Sequence, residues 1–251
     1  MESAFPETMT ASSQIYPPRQ GTALVCAAAC WLGFFGVVLA VHSGHAEALD
    51  STGLLFWRGD TLRPLGSARL LEAVRDVTAL GGVLLRNLFA AGCAIALLFM
   101  GLRREAALLT LTVAAGWLVN SLVKGLVGRD RPDIVPHLME AGGHSFPSGH
   151  SFNSAVVYIS AALAFAAMAD RSTVKATLVA AAMALSLAIA WSRVWLGVHW
   201  PTDVIAGWLG GAGWAFLGSA LLRRTASATV AAVEEINESG TPDPLEPRQK
   251  P

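Results

Sequence analysis

The sequence contains few charged residues. Asp, Glu, Lys and Arg make up only 14% of its 251 residues. A soluble globular protein carries about 25% charged residues, so this chain has too few to cover a surface that faces water. Hydrophobic residues make up 53%, and the mean hydropathy is +0.50. This composition excludes an ordinary soluble domain and predicts a protein whose main solvent is lipid.

Excess positive charge and paired cysteines are also missing. The 18 basic residues balance the 18 acidic ones, and no basic block occurs, so nothing predicts a nucleic-acid partner. The only cysteines are Cys26, Cys30 and Cys93, and all three lie inside apolar runs. They are predicted to be small buried hydrophobic side chains, not a disulfide framework or a zinc site.

Long apolar runs are what the sequence has in abundance. A transmembrane helix needs about 20 apolar residues and satisfies its backbone polar groups internally. Six runs fit this description, with polar residues between them: 22–41, 83–102, 106–123, 151–169, 176–191 and 203–222. We therefore predict an all-α fold, a six-helix transmembrane bundle over residues 21–224. The polar, proline-containing ends at 1–20 and 225–251 are predicted to be disordered tails.

The first apolar run permits a second interpretation. The AEA triplet at 46–48 resembles a signal-peptide cleavage site, but the run is longer than the usual core of about 7–15 residues. We predict that it is a retained helix. Either interpretation places the next loop outside the cytoplasm. The counts of Lys and Arg on the two sides are too even to orient the bundle by the positive-inside rule.

Two other patterns concern packing. The segment ARLLEAVRDVTAL at 68–80 has apolar residues at helical spacing and predicts an amphipathic helix. Such a helix either lies in the membrane interface or packs against the bundle, and the sequence favours neither. In the last apolar run, Gly207 and Gly211 lie four residues apart, a spacing that lets helices approach closely in lipid.

Ionisable residues concentrate in two loops, those after the third and fifth predicted spans, which fall on one side of the membrane. Together these loops gather Lys124, Arg131, His150, Arg193, His199 and Asp203. Each has an ordinary alternative, because cations at helix ends often reach toward the headgroups as anchors. We assign that role to Arg129, Arg223 and Arg224. Three cations, two histidines and a carboxylate at one membrane face nevertheless favour a functional site.

Phosphate is the ligand that this set of residues suits. Lys124, Arg131 and Arg193 would surround a multiply charged anion, and the guanidinium fork matches phosphate oxygens. The Ser148–Gly149–His150 turn opens the fourth predicted span. Its free N–H groups would point at the same anion, although Ser148 could equally be a simple N-cap. Gly149 would allow a close approach of the backbone.

A metal site is the competing interpretation. His199, Asp203, His150, His144 and His137 are all possible ligands. The three cations would repel a divalent ion from the same pocket, so we predict no metal and no other cofactor. His199 is then a candidate nucleophile with its tautomer fixed by Asp203, and His150 a candidate acid for the leaving oxygen.

Three motifs resemble those of a known family. They are K-x6-RP from Lys124 to Pro132, PSGH at 147–150, and SR-x5-H-x3-D from Ser192 to Asp203. Together they are similar to the type 2 phosphatidic acid phosphatase family, which shares its site with vanadium haloperoxidases. RDVTALGG at 75–82 also resembles bacterial members.

The resemblance implies a six-span, metal-independent membrane phosphatase. Lys124, Arg131, Ser148, Gly149 and Arg193 would bind phosphate. His199 would become phosphorylated, oriented by Asp203, and His150 would be the acid. The resemblance also places the site on the extracytoplasmic face of a bacterial inner membrane.

The predicted function is hydrolysis of a lipid phosphate or diphosphate in the bilayer. Undecaprenyl diphosphate, phosphatidic acid, diacylglycerol diphosphate and phosphatidylglycerophosphate are candidate substrates, and the motifs do not choose among them. The alternatives are a phosphotransferase with a lipid-linked acceptor, a vanadate-dependent haloperoxidase and an anion transporter. The sequence does not predict the oligomeric state.

Overall fold

The computed structural model describes the backbone of residues 20–239 and the side chains of residues 20–220. Within these residues the chain forms eight helices and no strand, as the all-α prediction requires. Their bounds are α1 Gln20–His42, α2 Glu47–Leu55, α3 Ala68–Leu80, α4 Val83–Phe99, α5 Arg103–Val127, α6 Gly149–Ala166, α7 Ser172–Trp195 and α8 Pro201–Ser239.

Three helices, α1, α5 and α7, are long and apolar enough to cross a membrane. A fourth span is possible if α3 and α4, which meet at a bend of 49°, are taken as one. α4 alone has only 17 residues, and the first turn of α6 is polar, with His150, Ser151 and Asn153. The chain is therefore a membrane-spanning protein, while the count of six spans stays a prediction.

α6 forms the centre of the bundle. It is buried along most of its length and packs against α5, α7 and α8. The contact with α8 is close because Gly207 and Gly211 of α8 face α6. A Cβ atom at Gly207 would lie 2.7 Å from the Ser148 carbonyl oxygen, and one at Gly211 would lie 2.2 Å from that of Phe152. The predicted packing role of these two glycines is confirmed.

α1 packs along α8 and contributes Phe34 to a buried cluster with Phe146 and Ala206. The opposite face of α1 exposes large apolar side chains, Leu32 and Phe35 among them, as a lipid-facing helix does. These contacts support our proposal that the first apolar run is a retained span.

α3 is an amphipathic helix, as the sequence predicts, and it packs against the bundle. Val74 is buried in a cluster with Trp195, Leu196 and Val198 at the end of α7. Arg75 donates a hydrogen bond from its Nη2 atom to the Leu138 carbonyl at 2.8 Å. Of the two interpretations of this segment, packing within the protein is the one that the structure supports.

α8 extends beyond the predicted end of the last span. Its backbone is helical as far as Ser239, whereas a disordered tail was expected from residue 225. The stretch from 219 to 239 contains neither Gly nor Pro and is rich in alanine, so nothing in it stops the helix before Gly240. Residues 1–19 and 240–251, the rest of the two predicted tails, lie outside the described residues, as do the side chains of Arg223 and Arg224.

Cys26, Cys30 and Cys93 are free and partly buried, more exposed than the buried side chains that the sequence predicts. The ends of several helices bring the predicted site residues together. α1, α5 and α7 end, and α6 and α8 begin, at one end of the bundle. The turn between α3 and α4 reaches the same end, because a Cβ at Gly81 would lie 3.2 Å from the His150 ring.

Candidate active site

All eight residues predicted from the motifs lie at this end of the bundle. Lys124 is in the last turn of α5, Arg131 in the loop that follows it, Ser148 at the N-cap of α6, and Gly149 and His150 in the first turn of α6. Arg193 is in the last turn of α7, His199 in the α7–α8 loop and Asp203 in the first turn of α8. Charges from Arg131, Arg193 and Asp203 act on Lys124, so the loops converge on one site.

His199 and Asp203 form a buried pair, 2% and 0% exposed. The Oδ2 atom of Asp203 lies 3.5 Å from His199 Nδ1. It also accepts hydrogen bonds from the Ser145 hydroxyl at 2.5 Å and from the Trp200 amide at 2.9 Å. The Ser145 oxygen is itself 3.2 Å from His199 Nδ1. The carboxylate and the serine together hold one edge of the imidazole.

The contacts of His199 fix its tautomer. Nη1 of Arg131 lies 3.2 Å from His199 Nε2. A guanidinium has donors but no acceptor, so Nε2 must accept this hydrogen bond with its lone pair. The ring proton of the neutral imidazole is then on Nδ1, facing Ser145 and Asp203. Nε2 is left as a basic nitrogen facing the cations, as a nucleophile requires.

Burial also keeps His199 uncharged. Desolvation lowers the pKa of His199 to about 4, and the charges of Arg131 and Arg193 act in the same direction. The hydrogen bond and charge of Asp203 oppose this shift but do not cancel it. The ring is therefore neutral, with Nε2 unprotonated, throughout the physiological pH range.

Arg131 is held rigidly by backbone carbonyls. Its Nε donates to Gly143 at 3.1 Å, Nη2 donates to Gly142 at 2.8 Å and Nη1 donates to Val198 at 2.7 Å. Ordering this side chain before the ligand arrives reduces the entropy lost on binding. Its guanidinium is thus fixed beside the Nε2 atom of His199.

Arg193 and Lys124 complete the group of cations. Arg193 is buried, and its Nη1 donates to the Thr78 hydroxyl at 3.0 Å and contacts Met139 Sδ at 2.7 Å. Its Nε has no partner among the described residues. Lys124 donates from Nζ to the His144 carbonyl at 2.6 Å. The buried Arg193, with an unused donor, and the half-buried Lys124 are suited to an anion that enters from outside.

The start of α6 supplies uncharged donors to the same site. Ser148 is its N-cap and accepts hydrogen bonds from the Ser151 amide at 3.5 Å and the Ser151 hydroxyl at 2.9 Å. Because Ser148 is the acceptor in both hydrogen bonds, its hydroxyl proton is free to be donated. The amides of Gly149 and His150 lie in the first turn, where helix geometry provides no partner for them.

Arg129 corrects the sequence analysis, which assigned it as a membrane anchor. Its Nη1 donates to Asp203 Oδ1 and to the Thr202 hydroxyl, each at 2.8 Å, and its Nη2 donates to Asp50 at 2.6 Å. Its guanidinium also lies 5.5 Å from the Trp200 ring centroid. Arg129 therefore holds the Asp203 carboxylate from the side opposite to His199.

Asp50 and Ser145 are two further residues that the sequence analysis missed. Asp50 is fully buried in α2 and accepts from the Thr202 amide at 2.8 Å, the Thr202 hydroxyl at 2.7 Å and Arg129. Asp50 lies 79 residues from Arg129 and 152 from Thr202, so no local pattern could reveal the contacts. Ser145 stands three residues before Ser148, and this proximity to PSGH is the one signal that could have drawn attention to it.

Metal-ligand geometry is a separate question. Among the described residues, no three His, Cys, Asp or Glu side chains are grouped closely enough to hold a metal ion. His137, a possible ligand in the competing interpretation, instead donates from Nε2 to the Pro132 carbonyl at 2.7 Å. The site thus combines a neutral, oriented imidazole with cations and helix-end amides, an arrangement suited to attack on a tetrahedral oxyanion.

Comparison with known proteins connects this site to a family. The model of the PAP2 superfamily matches residues 105–226, a segment that contains all eight predicted residues. The chain is 37% identical over 101 residues to phosphatidylglycerophosphatase B of Bacillus subtilis, covering 40% of this chain and 49% of that protein. It is 35% identical over 107 residues to a putative undecaprenyl-diphosphatase of Escherichia coli, covering 41% and 50%. The chain thus spans about half the length of these curated relatives.

A solved structure extends the similarity to most of the fold. It is the crystal structure of a transmembrane PAP2-type phosphatidylglycerolphosphate phosphatase from Bacillus subtilis. The TM-score is 0.69 at 26% identity, and the match covers 79% of this chain and 96% of that one. The helical arrangement described above is therefore shared with a known membrane phosphatase.

Proposed function

We propose that this chain, whose residues 105–226 match the PAP2 superfamily, is an integral-membrane phosphatase acting on a lipid phosphate or diphosphate. The observation that carries the proposal is the geometry of His199. Its Nε2 lone pair faces Arg131, while its Nδ1 edge is held by Ser145 and Asp203. A phosphate bound by the cations would meet this nitrogen.

In the first step, Nε2 of His199 attacks phosphorus and forms a P–N bond while the P–O bond to the lipid breaks. Burial and the charge of Arg193 lower the pKa of His150 to about 2, so the ring takes up a proton only when the anionic phosphate is bound beside it. It then donates this proton to the departing oxygen, which leaves as the lipid product. Asp203 stabilises the positive charge that develops on the His199 ring, since its Oδ2 atom lies beside Nδ1.

In the second step, water replaces the lipid. Neutral His150 accepts a proton from the water as its oxygen attacks phosphorus. The P–N bond breaks, and the electron pair returns to His199 Nε2. Inorganic phosphate leaves, and both histidines are restored to their initial states. Neither step uses a metal, because the positive charges come from protein side chains.

Lys124, Arg131 and Arg193, with the hydroxyl of Ser148 and the amide of Gly149, are proposed to hold the nonbridging phosphate oxygens. Charge moves onto these oxygens as the bonds change, and fixed donors stabilise it without reorganising. The carbonyl contacts of Arg131 and the Thr78 contact of Arg193 support this assignment, because they fix both guanidinium groups in advance.

The lipid tail has a suitable place beside the site. A cavity of about 530 Å³ between α4, α5 and α6 is lined mainly by apolar side chains, including Ala90, Ala94, Val113 and Val157. The names of the relatives point to bacterial lipid phosphates as the substrate class. We propose that the protein resides in a bacterial inner membrane, with the site facing the periplasm or exterior.

Replacement of the nucleophile tests the function. His199→Ala in the full-length, detergent-purified protein should lower phosphate release from lipid phosphates by about 10⁴-fold or more, because the variant lacks the nitrogen that forms the proposed P–N bond. A brief reaction with ³²P-labelled substrate should label the wild-type protein and not the variant. EDTA should leave the wild-type rate unchanged.

His45→Ala is the matched control, since His45 is an exposed histidine at the same end of the bundle. It should retain the wild-type rate. Full activity of His199→Ala would contradict the nucleophile assignment, and loss of activity in EDTA would contradict the metal-free mechanism.

A further inference from the structure

Arg86 is a buried cation that the mechanism above does not use. It lies in the first turn of α4 and is 4% exposed. Its Nη1 donates to the Gly81 carbonyl at 3.1 Å, and its Nε has no partner within the part of the chain that the structure describes. The ion pairs found among the described residues involve Arg129 and His199, not Arg86. A cation buried in a membrane protein without a counter-charge is costly and is typical of a functional site.

Contacts of Arg86 place it on the side of the site where His150 lies. The Gly81 carbonyl that it binds belongs to the α3–α4 turn, which touches the His150 ring. The charge of Arg86 acts on His150, whereas the charges that act on His199 are those of Asp203, Arg131 and Arg193. The Gly81 contact therefore places Arg86 on the His150 side of the site.

Arg86 also reaches open space. It lines the 530 Å³ cavity together with the amides of Asn87 and Asn153 and the hydroxyl of Thr110. A neighbouring cavity contains His150, and Val83 lines both. A ligand that extends from His150 into the large cavity would therefore meet a guanidinium and two amides before it meets the apolar wall.

The chemistry of the leaving group indicates what this ligand is. In an in-line displacement the leaving oxygen departs on the side opposite to the nucleophile, which is the His150 side. Phosphatidic acid releases a neutral alcohol there. A lipid diphosphate releases a phosphate monoester, and phosphatidylglycerophosphate releases a phosphodiester. In both of these cases a second, anionic phosphate would extend toward the side of the site where Arg86 lies.

We propose that Arg86 binds the second phosphate of substrates that carry one on the leaving-group side, with the amides of Asn87 and Asn153 as additional donors. This rests on the proposed function, since it takes His199 and His150 to flank the reacting phosphorus. Arg86 makes the enzyme selective for lipids with two phosphates over those with one. The second phosphate would supply the counter-charge that no described acidic side chain provides.

The test compares three substrates on the purified full-length chain: a prenyl diphosphate, phosphatidylglycerophosphate and phosphatidic acid. Arg86→Gln should lower kcat/KM for substrates with a second phosphate by about 10- to 100-fold, the value of a charge-assisted contact, and leave phosphatidic acid within about threefold. Arg86→Lys should recover part of the loss because it keeps the charge. Arg69→Gln, an exposed arginine on the neighbouring α3, should change none of the three.

The substrates separate the two sources of the second phosphate. If Arg86→Gln loses kcat/KM only on the prenyl diphosphate, Arg86 binds a phosphate that is bonded directly to the reacting one. If the loss is confined to phosphatidylglycerophosphate, Arg86 binds the phosphate on the far side of the glycerol. An equal loss of kcat/KM on all three substrates in Arg86→Gln would show a structural role and overturn the proposal. A wild-type protein that hydrolyses phosphatidic acid but neither of the other two substrates would overturn it as well. A wild-type protein inactive on all three would instead contradict the phosphatase function itself.

Discussion

At the scale of single residues, the protonation of His199 is decided by its surroundings. Burial and two arginines lower its pKa to about 4, against an unfolded value of about 6.5. Between these pH values the unfolded chain binds a proton that the native state does not. Acid therefore lowers stability through His199 in this window, and stability from this group is restored as the pH rises above about 6.5.

A titration checks this shift. In ¹⁵N-histidine-labelled protein, the ring of His199 should show the neutral, Nδ1-protonated pattern from pH 8 to pH 5 and begin to charge only near pH 4. Asp203→Asn removes the charge that raises the pKa of His199, so charging should require still lower pH. A midpoint near 6.5 in the wild type would contradict the buried, arginine-flanked geometry.

Arg129 illustrates at the same scale why a residue type does not determine a role. Its sequence position, two residues before Arg131 at the end of an apolar run, fits a membrane anchor. Its side chain instead turns inward and forms ion pairs with Asp50 and Asp203. Asp50 in α2 accounts for this inward orientation, because the two buried carboxylates of Asp50 and Asp203 require a compensating cation.

At the scale of elements, the contact of α6 with α8 positions the site. α6 carries Ser148, Gly149 and His150, and α8 begins with Asp203, whose carbonyl accepts from the Ser148 amide at 2.9 Å. Gly207 and Gly211 set the separation of the two helices because a larger residue would overlap the α6 backbone. The position of His150 relative to His199 and Asp203 therefore depends on two glycines that carry no reactive group.

Gly211→Ala should separate α6 from α8, because its Cβ would lie 2.2 Å from the Phe152 carbonyl oxygen. We expect a loss of about 1–3 kcal/mol in stability from overpacking, together with reduced phosphate release. Gly36→Ala on α1 is the control, since nothing lies within 4 Å of its added Cβ. The midpoint of thermal unfolding in detergent measures the stability of both variants. A variant at Gly211 as stable as the one at Gly36 would contradict the close packing.

At the scale of the whole molecule, the orientation in the membrane is the main open proposal. Single cysteines at Glu140 and Asp170, in a background with Cys26, Cys30 and Cys93 replaced by alanine, would report it. Both positions are exposed and lie at opposite ends of α6. A membrane-impermeant maleimide added to intact cells should label Glu140→Cys and spare Asp170→Cys until the cells are permeabilised. The reverse pattern would place the site in the cytoplasm.

The sequence by itself determined the all-helical class, the membrane setting and the eight residues of the three motifs. These follow from local information: the length of apolar runs, and residue types at short fixed spacings. It also predicted the amphipathic α3 and the glycine pair of α8. It did not determine the end of α8, because the sequence pattern that suggests a tail also permits a helix.

Only the tertiary structure decided which residues complete the site. Asp50 reaches Arg129 across 79 positions, Ser145 reaches Asp203 across 58, and the turn bound by Arg86 touches His150. Such contacts leave no trace in spacing or periodicity, since they exist only once helices have packed and brought distant segments together. The tautomer and pKa of His199 belong to the same category, because both are set by neighbours that the chain supplies from other loops.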